Sequence, residues 1–302
     1  MRQSSRMLMM SNNFTTNIID LYGPLGQQWL NKLPEITNQI AVTWGLSGLQ
    51  PVKNLSYNYV LSGFRSQQPV VLKTSLDVEA LKQEASALHA FNGYGAARVL
   101  EEMTGALLLE RAIPGISLKS YFPHQDTEAT YIACKVIQKL HQAPAPQSKF
   151  SHIRDWLQIL DQDWNIPSNY LKKARYLRDQ LLNASTQSIL LHGDLHHDNI
   201  LQQGEDWIVI DPKGVIGDPI YDKIGCLIRE PLSEFLKQPQ PLDILRSRLK
   251  IIANYSDLDP MKIWEWSFIQ SVLACCWSLE DHQQPIELLH FIELLMNNTL
   301  ND

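Results

Sequence analysis

Little cysteine, no long hydrophobic run and no excess of positive charge characterise this 302-residue sequence. Its four cysteines lack the paired spacing of a zinc site, so we interpret them as reduced thiols of a cytoplasmic protein. No stretch reaches the roughly 20 apolar residues that a membrane helix requires, so we expect no membrane partner. Residues 1–13 contain two Arg but no apolar core, and we expect no secretion signal. Met10 is an alternative start, and residues 1–10 are left out of the fold prediction.

The chain carries a net charge of −6, which argues against general nucleic-acid binding. Residues 1–215 hold 19 acidic and 19 basic residues, whereas residues 216–302 hold 13 acidic and 7 basic residues. All of the excess negative charge therefore lies in the last part of the chain. Two interpretations are open: a solvated helical surface, or a binding site for a cationic substrate.

The first part of the chain is predicted to contain a β-sheet and one main helix. A helix over 26–44 precedes it, Gly63 and Pro69 are turn signals, and the apolar spacing of Val78–Phe91 indicates the main helix. The predicted strands of this part are short and apolar: Tyr57–Leu61, Val70–Lys73, Ala97–Leu100 and Ala106–Glu110.

From residue 127 onward the pattern is mainly helical. Helices are predicted over Thr127–His141, 152–164, 168–183, 241–255, 260–280 and 285–298. Between them, the apolar runs Ser188–Leu191 and Trp207–Ile210 are predicted to pair as a β-hairpin. Together these patterns predict an α+β protein of two lobes, with an N-terminal antiparallel sheet and one main helix over 11–111 and a mainly helical lobe over 112–302.

The most informative stretch is His192–Asn199, which reads His-Gly-Asp-Leu-His-His-Asp-Asn. A strand leads to Asp194, Asn199 follows five residues later, and the next apolar run ends at Asp211. In phosphoryl transfer, Mg²⁺ neutralises phosphate charge through oxygen ligands, which the Asp211 carboxylate and the Asn199 amide oxygen would supply. Asp194 would orient the acceptor hydroxyl, because a loose transition state releases its proton late.

Each of these three residues also has a structural interpretation. Asp194 and Asp211 are typical turn residues and Asn199 is a typical cap, but their joint spacing after two strands favours chemistry. The His and Asp cluster of the same stretch would alternatively bind zinc in a hydrolase, although no further bridging ligands follow downstream.

A lysine and a glutamate in the first part of the chain fit the same chemistry. Glu84 falls within the apolar stripe of its predicted helix, where a carboxylate is costly unless it is paired. Lys73, at the end of an apolar strand, is the nearest candidate partner. A strand lysine paired with a helix glutamate is the arrangement that holds ATP phosphates in kinase folds.

Other nucleotide contacts are predicted from position. The segment Asn54–Asn58 would cover the phosphates through Ser56 and backbone N–H groups, although it lacks the G-x-G-x-x-G pattern. Adenine would lie against the backbone of Glu110 to Ala112, at the junction of the predicted lobes.

These motifs resemble the aminoglycoside phosphotransferases of the protein-kinase-like fold, in particular the streptomycin 6-phosphotransferase/hydroxyurea-resistance group. The loop containing Asp194 is specific to the superfamily, whereas Asp-Pro-Lys-Gly from Asp211 and Trp-Ser-Leu-Glu-Asp from Trp277 indicate the subgroup. Further matching segments are Trp44-Gly45-Leu46, Val71-Leu72-Lys73, Leu107-Leu108-Leu109-Glu110-Arg111, Pro114-Gly115 and Gly217-Asp218-Pro219.

The resemblance implies two lobes, ATP and Mg²⁺. It also implies the site residues: Asp194 as catalytic residue, Asn199 and Asp211 as metal ligands, and Lys73 on phosphate, supported by Glu84. Asp222 resembles a family residue that braces the catalytic loop, and its structural alternative is a helix start. Lys213 matches the subgroup, but we assign it no role.

Streptomycin carries guanidinium groups, so a pocket for it should present carboxylates. The candidates are Glu230, Glu265, Glu280 and Asp281, each of which is equally compatible with a surface charge. The preferred function is an aminoglycoside O-phosphotransferase. The alternatives are a kinase for choline, homoserine, a ribose or another metabolite alcohol, a nucleotide-binding module without catalysis, and the zinc hydrolase.

Overall fold

The computed structural model describes residues 12–53, 55–146, 149–185, 187–224 and 226–299. The chain divides into two compact units. The first contains the described residues up to His89 together with Ala97–Arg111, and the second contains Ala90–Ala96 and the described residues from Ala112 onward. None of the helices in these ranges combines the length and the apolar character that a bilayer crossing requires.

The first unit is built on a five-stranded antiparallel sheet with the strand order β1-β2-β3-β5-β4. Its strands are β1 (Leu46–Pro51), β2 (Tyr59–Arg65), β3 (Gln68–Thr74), β4 (Val99–Met103) and β5 (Ala106–Glu110). Its helices are α1 (Asn12–Trp44) and α2 (Val78–Ala90). This architecture confirms the predicted antiparallel sheet, and β3 is paired on both edges by β2 and β5.

Helix α1 is longer than the predicted helix over 26–44. It begins at Asn12 and is interrupted at Gly23, whose φ of 55° suits a residue without a side chain. Pro24 follows, where its fixed φ and missing N–H are tolerated at the start of a helical segment. The first segment buries Phe14 and Ile18 completely, so it is held against the core of the first unit.

The predicted turn at Gly63 is wrong, because Gly63 lies within β2 and is paired with Val70. A Cβ at Gly63 would meet the Ser47 carbonyl oxygen at 2.8 Å, so the glycine allows β1 to approach β2 closely. The turn lies after Arg65, and Ser66 there has a φ of 57°. The glycine therefore marks close backbone contact rather than chain reversal.

The second unit is mainly helical, as predicted. Its helices are α3 (Asp126–Leu140), α4 (Ile153–Leu157), α5 (Ser168–Ala184), α6 (Ile220–Ile224), α7 (Leu232–Leu236), α8 (Pro241–Ser256), α9 (Pro260–Glu280) and α10 (Ile286–Asn297). Its 3₁₀ turns are Leu118–Tyr121, Gln158–Asp161, His197–Asn199 and Cys226–Ile228. Its strands are β6 (Pro114–Ser117), β7 (Ile189–Leu191), β8 (Ile200–Gln203), β9 (Asp206–Val209) and β10 (Val215–Gly217).

The predicted hairpin between Ser188–Leu191 and Trp207–Ile210 is wrong. Strand β9 pairs instead with β8, across the short turn at Gly204, and β7 pairs antiparallel with β10. A two-residue turn closes the β8–β9 hairpin at lower entropic cost than the longer connection that the prediction required. Because β7 pairs with β10, the polar loop after β7 starts beside the point where the polar loop after β9 ends.

Arg248, on α8, is a buried charge at the centre of the second unit, with 1% of its surface exposed. Its guanidinium donates to the Asp126 carboxylate at 2.6 Å and to the carbonyl oxygens of Leu227, Ile228 and Glu230 at 3.2, 2.9 and 2.7 Å. A buried guanidinium is tolerated when its donors are satisfied in this way. These bonds fasten the 3₁₀ turn Cys226–Ile228 to two helices.

Candidate active site

The loop after β7 is held by a buried carboxylate. Asp222, at 2% exposure on α6, accepts hydrogen bonds from the backbone N–H groups of His192 and Gly193 at 2.7 and 2.9 Å. His141, at the end of α3, contacts the same carboxylate at 3.1 Å. Burial alone would raise the pKa of Asp222, but the hydrogen bond and charge of His141, together with the Gly193 N–H, hold that pKa below its ordinary value.

His192 is fully buried beneath the loop, where its neutral ring connects the backbone of the two polar loops. Its Nδ1 accepts from the Asp194 backbone N–H at 3.2 Å, so the proton resides on Nε2, which donates to the Ile210 carbonyl at 2.8 Å. Burial lowers the pKa of His192, although the nearby Asp222 charge acts in the opposite direction. The lowered pKa favours the same neutral form. The His192 carbonyl accepts from the Lys213 N–H at 2.8 Å.

These contacts bring the three residues predicted to carry the chemistry into one assembly. The Asn199 side-chain amide donates to the Asp194 carbonyl at 2.9 Å, which leaves the Asn199 amide oxygen for another partner. Asn199 also accepts the Ile210 backbone N–H at 3.0 Å through its carbonyl, immediately before Asp211. Asp211 has a φ of 57°, a left-handed conformation that is costly for a residue with a side chain and is typical of functional loops.

Cys226 reaches the catalytic loop from its 3₁₀ turn. Its Sγ donates to Asp194 Oδ1 at 3.5 Å and accepts from Arg229 Nη2 at 3.4 Å. Arg229 is buried, at 6% exposure. The carboxylate assigned to orient the hydroxyl is therefore in contact with a thiol that itself contacts a buried cation.

The remaining histidines of the loop do not form a zinc site. His197 is 1% exposed, and neither of its ring nitrogens has a hydrogen-bond partner among the described residues. Burial and the nearby Arg248 charge hold the pKa of His197 well below its ordinary value. His196 Nδ1 accepts the Asp198 N–H. Within the described ranges no three His, Cys, Asp or Glu side chains converge as metal ligands, so the geometry gives the zinc-hydrolase alternative no support.

In the first unit, Lys73 and Glu84 form the predicted buried pair. Lys73 Nζ lies 2.9 and 2.7 Å from the two Glu84 oxygens, and the side chains are 3% and 9% exposed. Lys73 sits in β3 opposite Val60 and Leu107, while Glu84 occupies the buried face of α2 beside Ala85. The bidentate contact fixes the ammonium group at one place on the sheet.

The other predicted nucleotide residues have ordinary local contacts. Ser56 is exposed, and its carbonyl accepts from the Asn17 side chain at 3.3 Å; Asn54, from the same predicted loop, lies outside the described residues. The Glu110 carboxylate is occupied by the backbone and guanidinium of Arg98, both at 2.9 Å. Ala112 is buried in the second unit. Their predicted nucleotide roles stay predictions.

An open cavity of about 760 Å³ lies in the second unit. Its aromatic residues, Trp156 and Trp277, pack edge to face with their ring centres 5.8 Å apart. Trp156 also touches the loop, since a Cβ at Gly193 would lie 2.9 Å from its Cη2 atom. The complete lining is Asp155, Trp156, Gln158, Ile159, Asp161, Gln162, Trp277 and Glu280.

The four carboxylates predicted for the substrate do not share one site. Glu280 lines the cavity beside Trp156. Asp281 follows it at the end of α9 and is exposed to solvent. Glu265 lines a separate cavity of about 230 Å³, where burial raises its pKa. Glu230 accepts the Leu232 N–H at 3.0 Å and so closes its own turn.

Several site residues were missed in the sequence. Trp156 and Asp155 lie in a segment predicted only as helix, and Cys226 and His141 carried no motif. Trp277 was noted as the first residue of a subgroup motif, and it is half-buried in the cavity wall. These residues reach the site through contacts with residues distant in the sequence, so no local pattern indicates them.

Comparison with known proteins agrees with the fold. The family model for aminoglycoside/hydroxyurea antibiotic resistance kinases matches residues 49–282, which is most of the chain. The chain belongs to this family, and its activity is ATP-dependent phosphate transfer to an alcohol group of a small molecule. This membership confirms the resemblance noted in the sequence.

Individual relatives act on streptomycin. The chain is 32% identical to a streptomycin 3''-kinase of Klebsiella pneumoniae, over 63% of this chain and 73% of that protein. It is 23% identical to a streptomycin 6-kinase of Streptomyces glaucescens, over 88% and 89%. The crystal structure of aminoglycoside phosphotransferase APH(4)-Ia superposes with a TM-score of 0.65 at 13% identity, over 88% of this chain and 97% of that one, which confirms the protein-kinase-like fold.

The buried neutral His192 predicts a pH dependence of stability. Unfolding returns His192 to its ordinary pKa of 6.5, so below that pH the unfolded chain takes up a proton that the folded chain does not. Stability should therefore be lost as the pH falls from 6.5. Urea unfolding should be measured at pH 7.5, 6.5 and 5.5. The free energy of unfolding should fall more steeply with decreasing pH in wild type than in His192→Gln, by up to about 1.4 kcal/mol per pH unit.

Glutamine keeps one donor and one acceptor at this position but does not titrate, so the comparison isolates the proton on His192. The exposed His290 of α10 provides the control, and His290→Gln should keep the wild-type slope. Equal slopes for wild type and His192→Gln would show that the buried imidazole does not resist protonation.

Proposed function

We propose that this protein transfers the γ-phosphate of ATP to a hydroxyl group of a cationic aminoglycoside, with streptomycin as the preferred acceptor. The observation that carries the choice of acceptor is the contact of Trp156, in the wall of an acidic cavity, with Gly193, the residue before Asp194. An acceptor held in this cavity would contact the same Trp156 that packs against the loop carrying Asp194. The streptomycin kinases among the relatives support the same acceptor.

The roles in the catalytic loop follow from the contacts of each side chain. Asp194 would accept the proton of the acceptor hydroxyl and orient its oxygen toward phosphorus. Asn199 commits its amide N–H to the Asp194 carbonyl, so its oxygen, together with the Asp211 carboxylate, would hold Mg²⁺. These are hard oxygen donors of the kind that Mg²⁺ prefers, and the ion when bound would neutralise phosphate charge.

Lys73 would bind the phosphates of ATP. Its ammonium group is the buried cation of the first unit's sheet, and Glu84 keeps it in one position. A fixed ammonium needs less reorganisation when the nucleotide arrives than a mobile surface lysine would. The Lys73–Glu84 pair would therefore position the ammonium group for ATP in addition to stabilising the fold.

The cavity lining suits a guanidinium or ammonium group. Asp155 is engaged by the His152 N–H at 3.0 Å, and Asp161 by Arg178 at 2.8 Å. Among the described residues, no hydrogen bond or ion pair engages the Glu280 carboxylate. Glu280 is therefore the acid that would pair with a substrate guanidinium, which binds carboxylates in a bidentate manner. The face of Trp156 or Trp277 would contribute a cation–π contact.

A kinase for a cationic metabolite alcohol such as choline is the second candidate. The same two tryptophans favour it, because aromatic faces bind quaternary ammonium groups without a hydrogen bond. Neutral alcohols such as a ribose would leave Glu280 without a partner. Cytoplasmic location stays a prediction, and the four free cysteines are compatible with it.

Asp194→Asn tests the reaction. The variant should lose about 10²–10⁴-fold in kcat while ATP affinity stays within about twofold, because the amide cannot accept the hydroxyl proton but occupies the same space. ADP release should be measured with MgATP and a panel of streptomycin, other aminoglycosides, choline, homoserine and ribose. Asp206→Asn, at the exposed start of β9, is the matched control and should be fully active. If no aminoglycoside supports ADP release, the proposed acceptor is overturned. If Asp194→Asn turns over as fast as wild type, the proposed chemistry is overturned.

Lys73→Met tests nucleotide binding. The variant should raise the KM for ATP at least about 10-fold, and it should also lose stability because Glu84 is left buried without a partner. The double variant Lys73→Met/Glu84→Leu removes both charges and should recover most of the stability without recovering ATP affinity. Thermal unfolding and ATP titration separate the two effects. Wild-type ATP affinity in the folded double variant would show that the pair is only structural.

Glu280→Gln tests acceptor recognition. Loss of the negative charge should raise the KM for streptomycin about 10-fold and leave the KM for ATP unchanged, because the pairing partner of one guanidinium is removed. Asp281→Asn is the matched control on the neighbouring residue, which does not line the cavity, and it should behave as wild type. Equal effects at both positions would indicate general electrostatic attraction instead of a defined contact.

A further inference from the structure

The carboxylate of Asp194 is in contact with a cysteine that no motif connects to catalysis. Cys226 Sγ lies 3.5 Å from Asp194 Oδ1, and Arg229 Nη2 lies 3.4 Å from the same sulfur. The three groups form a chain that runs from a buried guanidinium through a thiol to the carboxylate. The side chains come from the 3₁₀ turn Cys226–Ile228, the residue that follows it, and the loop after β7.

We propose that Cys226 is a positioning residue for the phosphoryl-transfer step, and that its S–H donates to Asp194 Oδ1 and so sets the direction of the other carboxylate oxygen. This inference rests on the proposed role of Asp194. It concerns orientation of a carboxylate and involves no covalent or redox chemistry of the thiol.

The backbone contacts of Asp194 make such a partner necessary. Its N–H donates to His192 Nδ1, and its carbonyl accepts the Asn199 amide. Both bonds fix the main chain, but neither restrains rotation about the side-chain bonds of Asp194. The described hydrogen bond that reaches the carboxylate itself is the one from Cys226. Holding one oxygen leaves the second oxygen facing a defined direction.

The state of the thiol suits this task. Burial raises the pKa of Cys226 to about 12, so the sulfur carries the proton that it donates. A thiol is a weak donor, but Arg229 donates to the sulfur and polarises the S–H toward the carboxylate. Arg229 remains protonated at any working pH, so the polarisation is constant.

The position of Cys226 is itself fixed from the core. Arg248 donates to the carbonyls of Leu227 and Ile228, the next two residues, and to that of Glu230. Because Arg248 also holds Asp126 at the start of α3, the turn cannot shift without breaking several buried bonds. The sulfur is therefore presented by a rigid support, as a positioning contact requires.

The test compares Cys226→Ala with Cys226→Ser, which are nearly equal in volume and differ in one hydroxyl group. Cys226→Ala removes both the donor and the acceptor, whereas Cys226→Ser keeps both. Cys134→Ala, at a buried thiol of α3, controls for the loss of a cysteine elsewhere in the same unit. The kcat, the KM for ATP, the KM for the acceptor and the Tm are measured with MgATP and streptomycin, or with the panel compound that turns over fastest.

Cys226→Ala should lower kcat about 10-fold with both KM values within about twofold, because ground-state binding does not use this contact. Cys226→Ser should retain kcat within about threefold, and Cys134→Ala should retain it fully whatever its Tm. Wild-type kcat in Cys226→Ala overturns the inference, as does an equal loss in the alanine and serine variants, which would indicate packing. If Asp194→Asn is inactive and Cys226→Ala is fully active, only the role of Cys226 fails. Full activity of Asp194→Asn removes both proposals.

Discussion

The buried carboxylate of Asp222 is the interaction on which the catalytic loop depends. It accepts the N–H groups of two consecutive residues, His192 and Gly193, and it contacts His141. A carboxylate removed from water is costly unless its oxygens are satisfied, so the loop adopts the one conformation that supplies these donors. Gly193 has a φ of 83° in that conformation and leaves no room for a Cβ beneath Trp156. The direction in which the chain enters Asp194 is a consequence of this pairing.

Strand pairing also fixes the position of the second polar loop, which follows β9. Because β7 pairs with β10 and β8 with β9, the segment from Asp211 to β10 starts beside Asn199, and His192 bridges the two loops through the Ile210 carbonyl. The left-handed backbone of Asp211 is retained because several backbone hydrogen bonds around it would be lost by relaxation. The backbone of Asn199 and the segment around Asp211 are thereby held by main-chain hydrogen bonds.

The residues proposed for the chemistry and for the acceptor lie on different elements of the second unit. The loops after β7 and β9 hold Asp194, Asn199 and Asp211, whereas α4 and α9 line the cavity with Trp156, Trp277 and Glu280. Helix faces change their side chains without disturbing the hydrogen bonds of the loops. Because the proposed acceptor contacts lie on these helices, the loop after β7 alone does not identify the acceptor.

The sequence by itself determined the chemistry and the class of fold. Spacing along two successive loops indicated Asp194, Asn199 and Asp211. Helical periodicity indicated that Glu84 is a buried charge in need of a partner such as Lys73. Both signals lie within short segments. The tertiary structure decided which strands pair, and it corrected the predicted hairpin. It also decided which of four acidic residues enters the cavity and placed Cys226 at Asp194. These contacts join segments that lie far apart in the sequence. Their free energy depends on how strands pair and helices pack, which no local pattern of residues contains.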